Sequence, residues 1–250
     1  MRVFFGFNSL PKFRSAVVAV GSFDGLHSGH HIMISKLLSL SRELGGESVM
    51  LTFEPHPRVV LSGGGDGLKL LTTLDEKISI AESCGVENII VIPFDREFSQ
   101  LSYLDFVEQY LVEKVGIKAL VVGYNHRFGR NHEGNYNLCL SLADRCGFSL
   151  EMVSEWRDGD EKVSSTVIRN LIKDGEMAKA VEMLAHPYPL FGVASQGSII
   201  ISEPLKLLPK SGRYLAEARG EDVVVEIADD GDILCNLPDG DVRLWIFKEI

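Results

Sequence analysis

The sequence predicts an α/β protein, a parallel sheet with helices on both faces followed by a small antiparallel β module. Three observations carry that reading. Short apolar, β-branched runs alternate with stretches of helical spacing up to residue 186. Polar clusters recur directly after four of the strand-like runs. Beyond His186-Pro187 the texture changes to short alternating runs, separated by turns such as Asp230-Gly231 and Asp239-Gly240. The expected domains are therefore residues 1–186 and 187–250.

Val17 to Val20, closed by Gly21, reads as a strand buried on both faces. Ile32, Ile34, Leu37, Leu38, Leu40 and Leu44 then have the spacing of an amphipathic helix that stops at Gly45-Gly46. Ser48 to Phe53 is a second strand, and Ser62 to Gly67 a glycine-rich loop. Thr73-Leu74-Asp75-Glu76 has the pattern of a capping box opening a helix that ends at Gly85. Asn88 to Pro93 is a third strand. Ser102 and Asp105 are placed to cap a helix carried by Leu104, Phe106, Val107, Tyr110 and Leu111. Ala119 to Gly123 is a fourth strand, followed by a helix at Tyr136–Cys146 and a strand at Phe148–Val153. Helices at Val167–Lys173 and Met177–Leu184 flank the breaker Asp174-Gly175-Glu176. The alternating runs of the β module are Leu190–Ala194, Ser198–Ile201, Arg213–Ala218, Val223–Ile227 and Val242–Phe247.

The net charge of −10 argues against nucleic acid or an anionic membrane as the main partner, but local donors can still hold a small anion. No apolar run is long enough to span a bilayer, and Met1 to Phe5 soon meets Asn8, Pro11, Lys12 and Arg14, unlike a signal peptide. Cys84, Cys139, Cys146 and Cys235 form no Cys-x-x-Cys pair and are expected to be reduced in a cytoplasmic protein.

The polar clusters are Ser22 to His30, Glu54 to Arg58, Phe94 to Glu97, and Tyr124 to Phe128. In a parallel sheet all of them fall at the C-terminal edge, where ligands bind. His27 and His30 bracket Ser28-Gly29 where a buried strand hands over to a helix N-terminus, an end that offers unpaired N–H groups and positive potential to phosphate. No Gly-x-Gly-x-x-Gly follows the first strand, which disfavours a dinucleotide fold. Ser164, Ser165 and Thr166 precede a helix that carries Arg169 one turn inside. Such hydroxyls serve as an N-cap and can also reach a common oxyanion.

His27-Ser28-Gly29-His30 resembles the His-x-Gly-His signature of the nucleotidylyltransferase superfamily. With Gly21, Phe23-Asp24-Gly25, Thr52-Phe53-Glu54-Pro55-His56-Pro57 and Ser164 to Arg169, the chain resembles bacterial FAD synthetases of the bifunctional riboflavin kinase/FMN adenylyltransferase family. The resemblance implies a Rossmann-like nucleotidylyltransferase domain with catalytic His27, His30, Ser164, Thr166 and Arg169. It implies nucleotide contacts from Gly21, Ser22, Phe23, Asp24, Gly25, Gly29, Gly123 and Ser165, and flavin contacts from Pro55, His56, Pro57, Asn125 and Phe128. Phe128 equally suits a core position, and His126 stands where the family often has an aromatic. ATP and FMN are the implied substrates and Mg²⁺ the implied cofactor. In the β module the resemblance weakens: no Pro-Thr-Ala-Asn occurs, Ser195-Gln196-Gly197-Ser198 stands near its place, and Gly212-Arg213-Tyr214 is faintly similar to Gly-Val-Tyr. The family's catalytic Glu and final helix are not found. The expected activity is FMN adenylyl transfer with riboflavin kinase activity lost. The alternatives are adenylyl or cytidylyl transfer to another phosphate acceptor, or a non-catalytic flavin- or metal-binding module.

Overall fold

The computed structural model describes residues 1–63, 67–124, 129–130, 134–155, 157–158 and 161–250. Two compact units form. The first comprises Met1–Phe23, His30–Leu68 and Ala81–Glu155, and the second Asp24–Gly29, Lys69–Ile80 and Trp156–Ile250.

The first unit is built on a six-stranded parallel sheet of β1 (Arg2–Phe5), β2 (Ala16–Val20), β3 (Ser48–Glu54), β4 (Asn88–Pro93), β5 (Ile117–Gly123) and β6 (Ser149–Val153), in the order β1-β4-β3-β2-β5-β6. The pairings run Val17↔Ser48 between β2 and β3 and Val18↔Leu120 between β2 and β5. All five residues of β2 are buried, as a central strand covered on both faces requires. Val18, Val20, Leu51, Phe53, Ile90 and Leu120 join one core cluster, while the alternate positions Val17, Ala19, Met50 and Ile89 are equally buried.

Helices α1 (Ser28–Glu43), α3 (Leu74–Ser83) and α6 (Tyr136–Cys146) stand where the spacing predicts them, α2 (Pro57–Leu61) and α4 (Arg96–Ser99) are short helices that begin within two of the polar clusters, where no helix is expected, and α5 (Tyr103–Asp105) follows Ser102. The box at Thr73 is reciprocal, with Thr73 N–H donating to Glu76 Oε2 at 2.8 Å and Glu76 N–H to Thr73 Oγ1 at 3.3 Å. Two further features of this unit differ from expectation. Arg2–Phe5 is an edge strand, paired to β4 in register Arg2↔Asn88. The expected helix after Ser102 is a short α-helical turn, α5, followed by a π-helix at Phe106–Val115. Its buried Phe106, Val107, Leu111 and Val115 recur at about every four to five positions, a spacing that i→i+5 winding lines up on one face.

The second unit holds a two-stranded ribbon of β7 (Arg157–Asp158) and β8 (Glu161–Lys162), helices α7 (Ser165–Asp174) and α8 (Met177–Leu184), and a closed antiparallel barrel. The barrel strands are β9 (Tyr188–Ser195), β10 (Ser198–Ile200), β11 (Gly212–Ala218), β12 (Glu221–Ile227), β13 (Ile233–Leu234) and β14 (Gly240–Glu249), in the order β10-β13-β12-β11-β14-β9. The packing does not divide at residue 186. Ile168, Leu171 and Ile172 of α7 and Met177, Ala180, Met183 and Leu184 of α8 share one apolar cluster with Tyr188, Tyr214, Leu244 and Ile246 of the barrel. The two helices bury their apolar stripes on the barrel side, so they belong to that unit.

Candidate active site

The candidate residues fall into two sets, one in each compact unit. In the first unit, β2 ends at Val20, and Gly21 N–H continues the ladder to Leu51 O at 3.1 Å. Ser22 O accepts from Thr52 Oγ1 at 3.2 Å. Phe23 is fully buried, and its ring lies edge-on to His30 with centroids 5.3 Å apart. His30 sits in the first turn of α1, where helix geometry leaves backbone N–H groups without intrahelical acceptors. The other histidine on that turn, His31, has Nδ1 3.5 Å from Cys84 Sγ. Burial raises the pKa of the Cys84 thiol, so it is not a ready thiolate. His56 caps the short helix α2, its Nδ1 accepting from Arg58 N–H at 3.2 Å between Pro55 and Pro57. Gly123 closes β5, and among the described residues nothing lies within 4 Å of where its Cβ would be. Asn125 and Phe128 lie outside the described residues.

The second unit holds the signature turn, Asp24–Gly29, and it is fastened from several sides. Asp24 is 2% exposed. Its Oδ1 accepts from Leu71 N–H at 2.9 Å and Thr72 N–H at 3.1 Å, and its Oδ2 accepts from Arg169 Nη2 at 2.5 Å. Ser165 Oγ donates to Asp24 O at 2.9 Å, and Gly25 N–H to Thr72 Oγ1 at 3.0 Å. Gly25 has φ +82°, and a Cβ there would stand 2.6 Å from Leu71 Cδ1, so glycine is required on both counts. Leu26 also holds a positive φ, 42°, and is fully buried. His27 is buried, Ser28 and Gly29 open α1, and Ser28 Oγ is buried with no hydrogen-bond partner among the described residues.

The hydroxyl cluster divides its work. Ser164 is the N-cap of α7, its side chain accepting from Val167 N–H at 3.4 Å, while Thr166 is exposed. Arg169 is 8% exposed. Besides Asp24 it reaches Lys69 O through Nε at 2.7 Å, so two of its five N–H donors hold the signature turn and its neighbour. The resemblance places Asp24 against the nucleotide and Arg169 in the catalytic set that holds the departing pyrophosphate. The structure joins them in one buried ion pair.

Three contributors escaped the sequence reading. His186, read only as a helix end, has Nε2 2.9 Å from Gly25 O and Nδ1 2.8 Å from Pro187 O. Burial lowers its pKa, against the two carbonyls, which raise it. The Lys206 cation lowers it further and the Glu76 carboxylate raises it. Glu76, read only as a cap, forms a fully buried pair with Lys206, with Nζ to Oε2 at 2.6 Å. The signal for Lys206 was a lone lysine inside the apolar run Leu205 to Leu208.

For Mg²⁺, no group of three His, Cys, Asp or Glu able to hold a metal gathers among the described residues. The carboxylate of the signature turn, Asp24, has both oxygens engaged. These residues do not build a metal site of their own. No described helix is long and apolar enough to cross a membrane, and none of the four cysteines is in a disulfide.

A buried strand followed by a His-x-Gly-His turn and a helix N-terminus has the form of a phosphate-binding site. Residues 10–167 match the FAD synthetase family model. A bifunctional riboflavin kinase/FMN adenylyltransferase from Listeria monocytogenes is 33% identical over 215 residues, covering 81% of this chain and 68% of that protein. Its namesake from Escherichia coli K12 is 30% identical, covering 82% and 68%. The chain belongs to the FAD synthetase family. The crystal structure of a macrolide-efflux protein from Streptococcus pneumoniae shares the fold, with a TM-score of 0.84 and 20% identity over all of this chain and 91% of that one.

Proposed function

We propose that the chain is an FMN adenylyltransferase, converting ATP and FMN to FAD and pyrophosphate, with the following division of labour. An FMN phosphate oxygen attacks the α-phosphorus of ATP in line. The bond from that phosphorus to the bridging oxygen breaks, and its electron pair leaves on pyrophosphate. No enzyme nucleophile is needed, because the acceptor phosphate already is one. His27 and His30, with the N–H groups of the first turn of α1, stabilise charge on the α-phosphate oxygens. Ser164, Ser165, Thr166 and the remaining donors of Arg169 hold the departing pyrophosphate. Gly21, Ser22, Phe23, Asp24, Gly25, Gly29 and Gly123 frame the nucleotide, and Pro55, His56 and Pro57 face the flavin phosphate. Mg²⁺, the cofactor this reading implies, would neutralise charge on the triphosphate.

The observation that carries this reading is the His27-Ser28-Gly29-His30 turn between a buried central strand and α1, in a chain of the FAD synthetase family. The absence of a Pro-Thr-Ala-Asn segment after residue 186 supports loss of riboflavin kinase activity, the net charge supports small-molecule rather than nucleic-acid partners, and four cysteines outside any disulfide support a cytoplasmic setting. The test is chromatography of pure protein incubated with FMN and MgATP. FAD and pyrophosphate in equal amounts are expected, and no FAD at any enzyme concentration would remove the reading.

A further inference from the structure

We propose that the barrel positions the signature turn of the adenylyl-transfer site through a strap of residues 69–72, with Lys206 as the central positioning residue. The proposal rests on the adenylyltransferase reading for its consequence, but its geometry is independent of that reading. All the groups involved belong to the second compact unit.

On one side the strap is stitched to the barrel connection, residues 201–211, between β10 and β11. Leu70 N–H donates to Leu205 O at 2.7 Å, Leu207 N–H to Leu70 O at 2.8 Å, and Lys69 Nζ to Pro204 O at 2.7 Å. Lys206 Nζ donates to Leu71 O and to Glu76 Oε2, each at 2.6 Å, and stands 4.2 Å from the centre of the Tyr188 ring. Tyr188, on β9, donates its hydroxyl to Leu207 O at 2.7 Å, and Phe191 N–H, also on β9, donates to Glu76 Oε1 at 2.9 Å.

On its other side the same strap holds the turn. Leu71 N–H and Thr72 N–H meet Asp24, Thr72 Oγ1 meets Gly25 N–H, and Lys69 O meets Arg169. Leu71 is thus gripped at its carbonyl by Lys206 and grips Asp24 with its amide. Displacing the carbonyl rotates the peptide neighbouring that amide, and with it the carboxylate that fixes Arg169.

The chemistry of the pair points the same way. Burial lowers the Lys206 pKa, while the Glu76 carboxylate raises it. A buried ion pair is a weak device for stability, because desolvation offsets its attraction, but its directional donors fix geometry. Apolar side chains would fill the same space at no electrostatic loss. They could not hold Leu71 O.

The test is made in the full-length chain with Lys206→Met and with Lys206→Met/Glu76→Gln, the second leaving no buried charge alone should the first not fold. Hydrogen exchange followed by mass spectrometry reads peptides covering residues 22–30, 68–74 and 212–227. In the double variant the first two are expected to exchange about tenfold faster while the third stays as in wild type. The KM for ATP should rise and kcat fall, together lowering kcat/KM for ATP about tenfold or more, while the KM for FMN is unchanged. Simple destabilisation would instead lower the active fraction with both KM values intact. Wild-type exchange over residues 22–30 in a variant that loosens 68–74, or unchanged KM values for both substrates, would overturn the proposal. Failure of the wild-type chain to make FAD would overturn the functional reading alone, since the exchange result decides the relay by itself.

Discussion

Removing the Asp24 carboxylate is the perturbation whose outcome the geometry fixes most tightly. In Asp24→Ala the Arg169 guanidinium, 8% exposed, loses its counter-ion, and the Leu71 and Thr72 amides lose their shared acceptor. Breaking a buried pair by deleting one partner costs about 3–5 kcal/mol, and unsatisfied amides add to that. For a chain of this size each kcal/mol moves Tm by roughly 2–4 °C, so the transition of the barrel-containing unit should fall by about 6–20 °C. Differential scanning calorimetry of Asp24→Ala, Arg169→Ala and the double variant measures both the loss and its coupling. The double variant should be less damaged than the sum of the singles, since no charge is left buried alone. A Tm within about 2 °C of wild type in Asp24→Ala, well under the smallest expected fall of about 6 °C, would refute the reasoning and return Arg169 to a purely ligand-binding role.

Three further outcomes follow from the same residues. His30→Ala should lower kcat about 10²-fold with a smaller change in the KM for ATP, the scale for loss of one transition-state donor; unchanged turnover in a folded variant would exclude His30 from the chemistry. Gly25→Ala places a side chain at φ +82° and 2.6 Å from Leu71 Cδ1, so it should cost about 1–3 kcal/mol in thermal stability and reduce FAD formation; wild-type values of both would mean the turn is not constrained. The third concerns pH. His186 has a folded pKa below its unfolded value, because burial and the Lys206 cation outweigh the carbonyls and Glu76. Its contribution to stability is present above the usual histidine pKa and is lost as pH falls through the folded one, because the unfolded chain then binds more protons. Tm measured from pH 7.5 down to 5.5 should therefore fall more steeply in wild type than in His186→Gln, and parallel curves would contradict the assignment.

Much of this architecture is legible in the sequence because local and tertiary demands agree. Asn88–Pro93, Tyr136–Cys146 and Met177–Leu184 appear at the expected bounds, each with a strong apolar period and a Gly, Asn or Pro signal nearby. Arg2–Phe5 was not read as a strand because four residues at a sheet edge, with Phe5 70% exposed, carry no burial pattern. The π-helix at Phe106–Val115 defeats a 3.6-residue template. Within the site, the His-x-Gly-His turn and the Ser164–Arg169 segment were visible as motifs, since strand, turn and helix are local. Their fastening was not. The Asp24–Arg169 pair spans 145 positions and the Lys206–Glu76 pair 130, and no periodicity links residues so far apart. For the same reason the grouping of α7 and α8 with the barrel core is not legible in the sequence. Turn chemistry at His186-Pro187 marks the end of α8, but the apolar faces of α7 and α8 decide which core they join, and that core is the barrel's.

The central claim is that the chain moves an adenylyl group onto FMN and no phosphoryl group onto riboflavin. It is tested most directly by incubating the full chain with MgATP labelled at the α-phosphate or the γ-phosphate, against FMN, riboflavin and other phosphate monoesters as acceptors, and separating the products by chromatography. The account predicts α-label in FAD with FMN alone, γ-label only in pyrophosphate, and no product from riboflavin. Label carried from the γ-phosphate into FMN, or α-label transferred to another phosphate monoester as readily as to FMN, would contradict it.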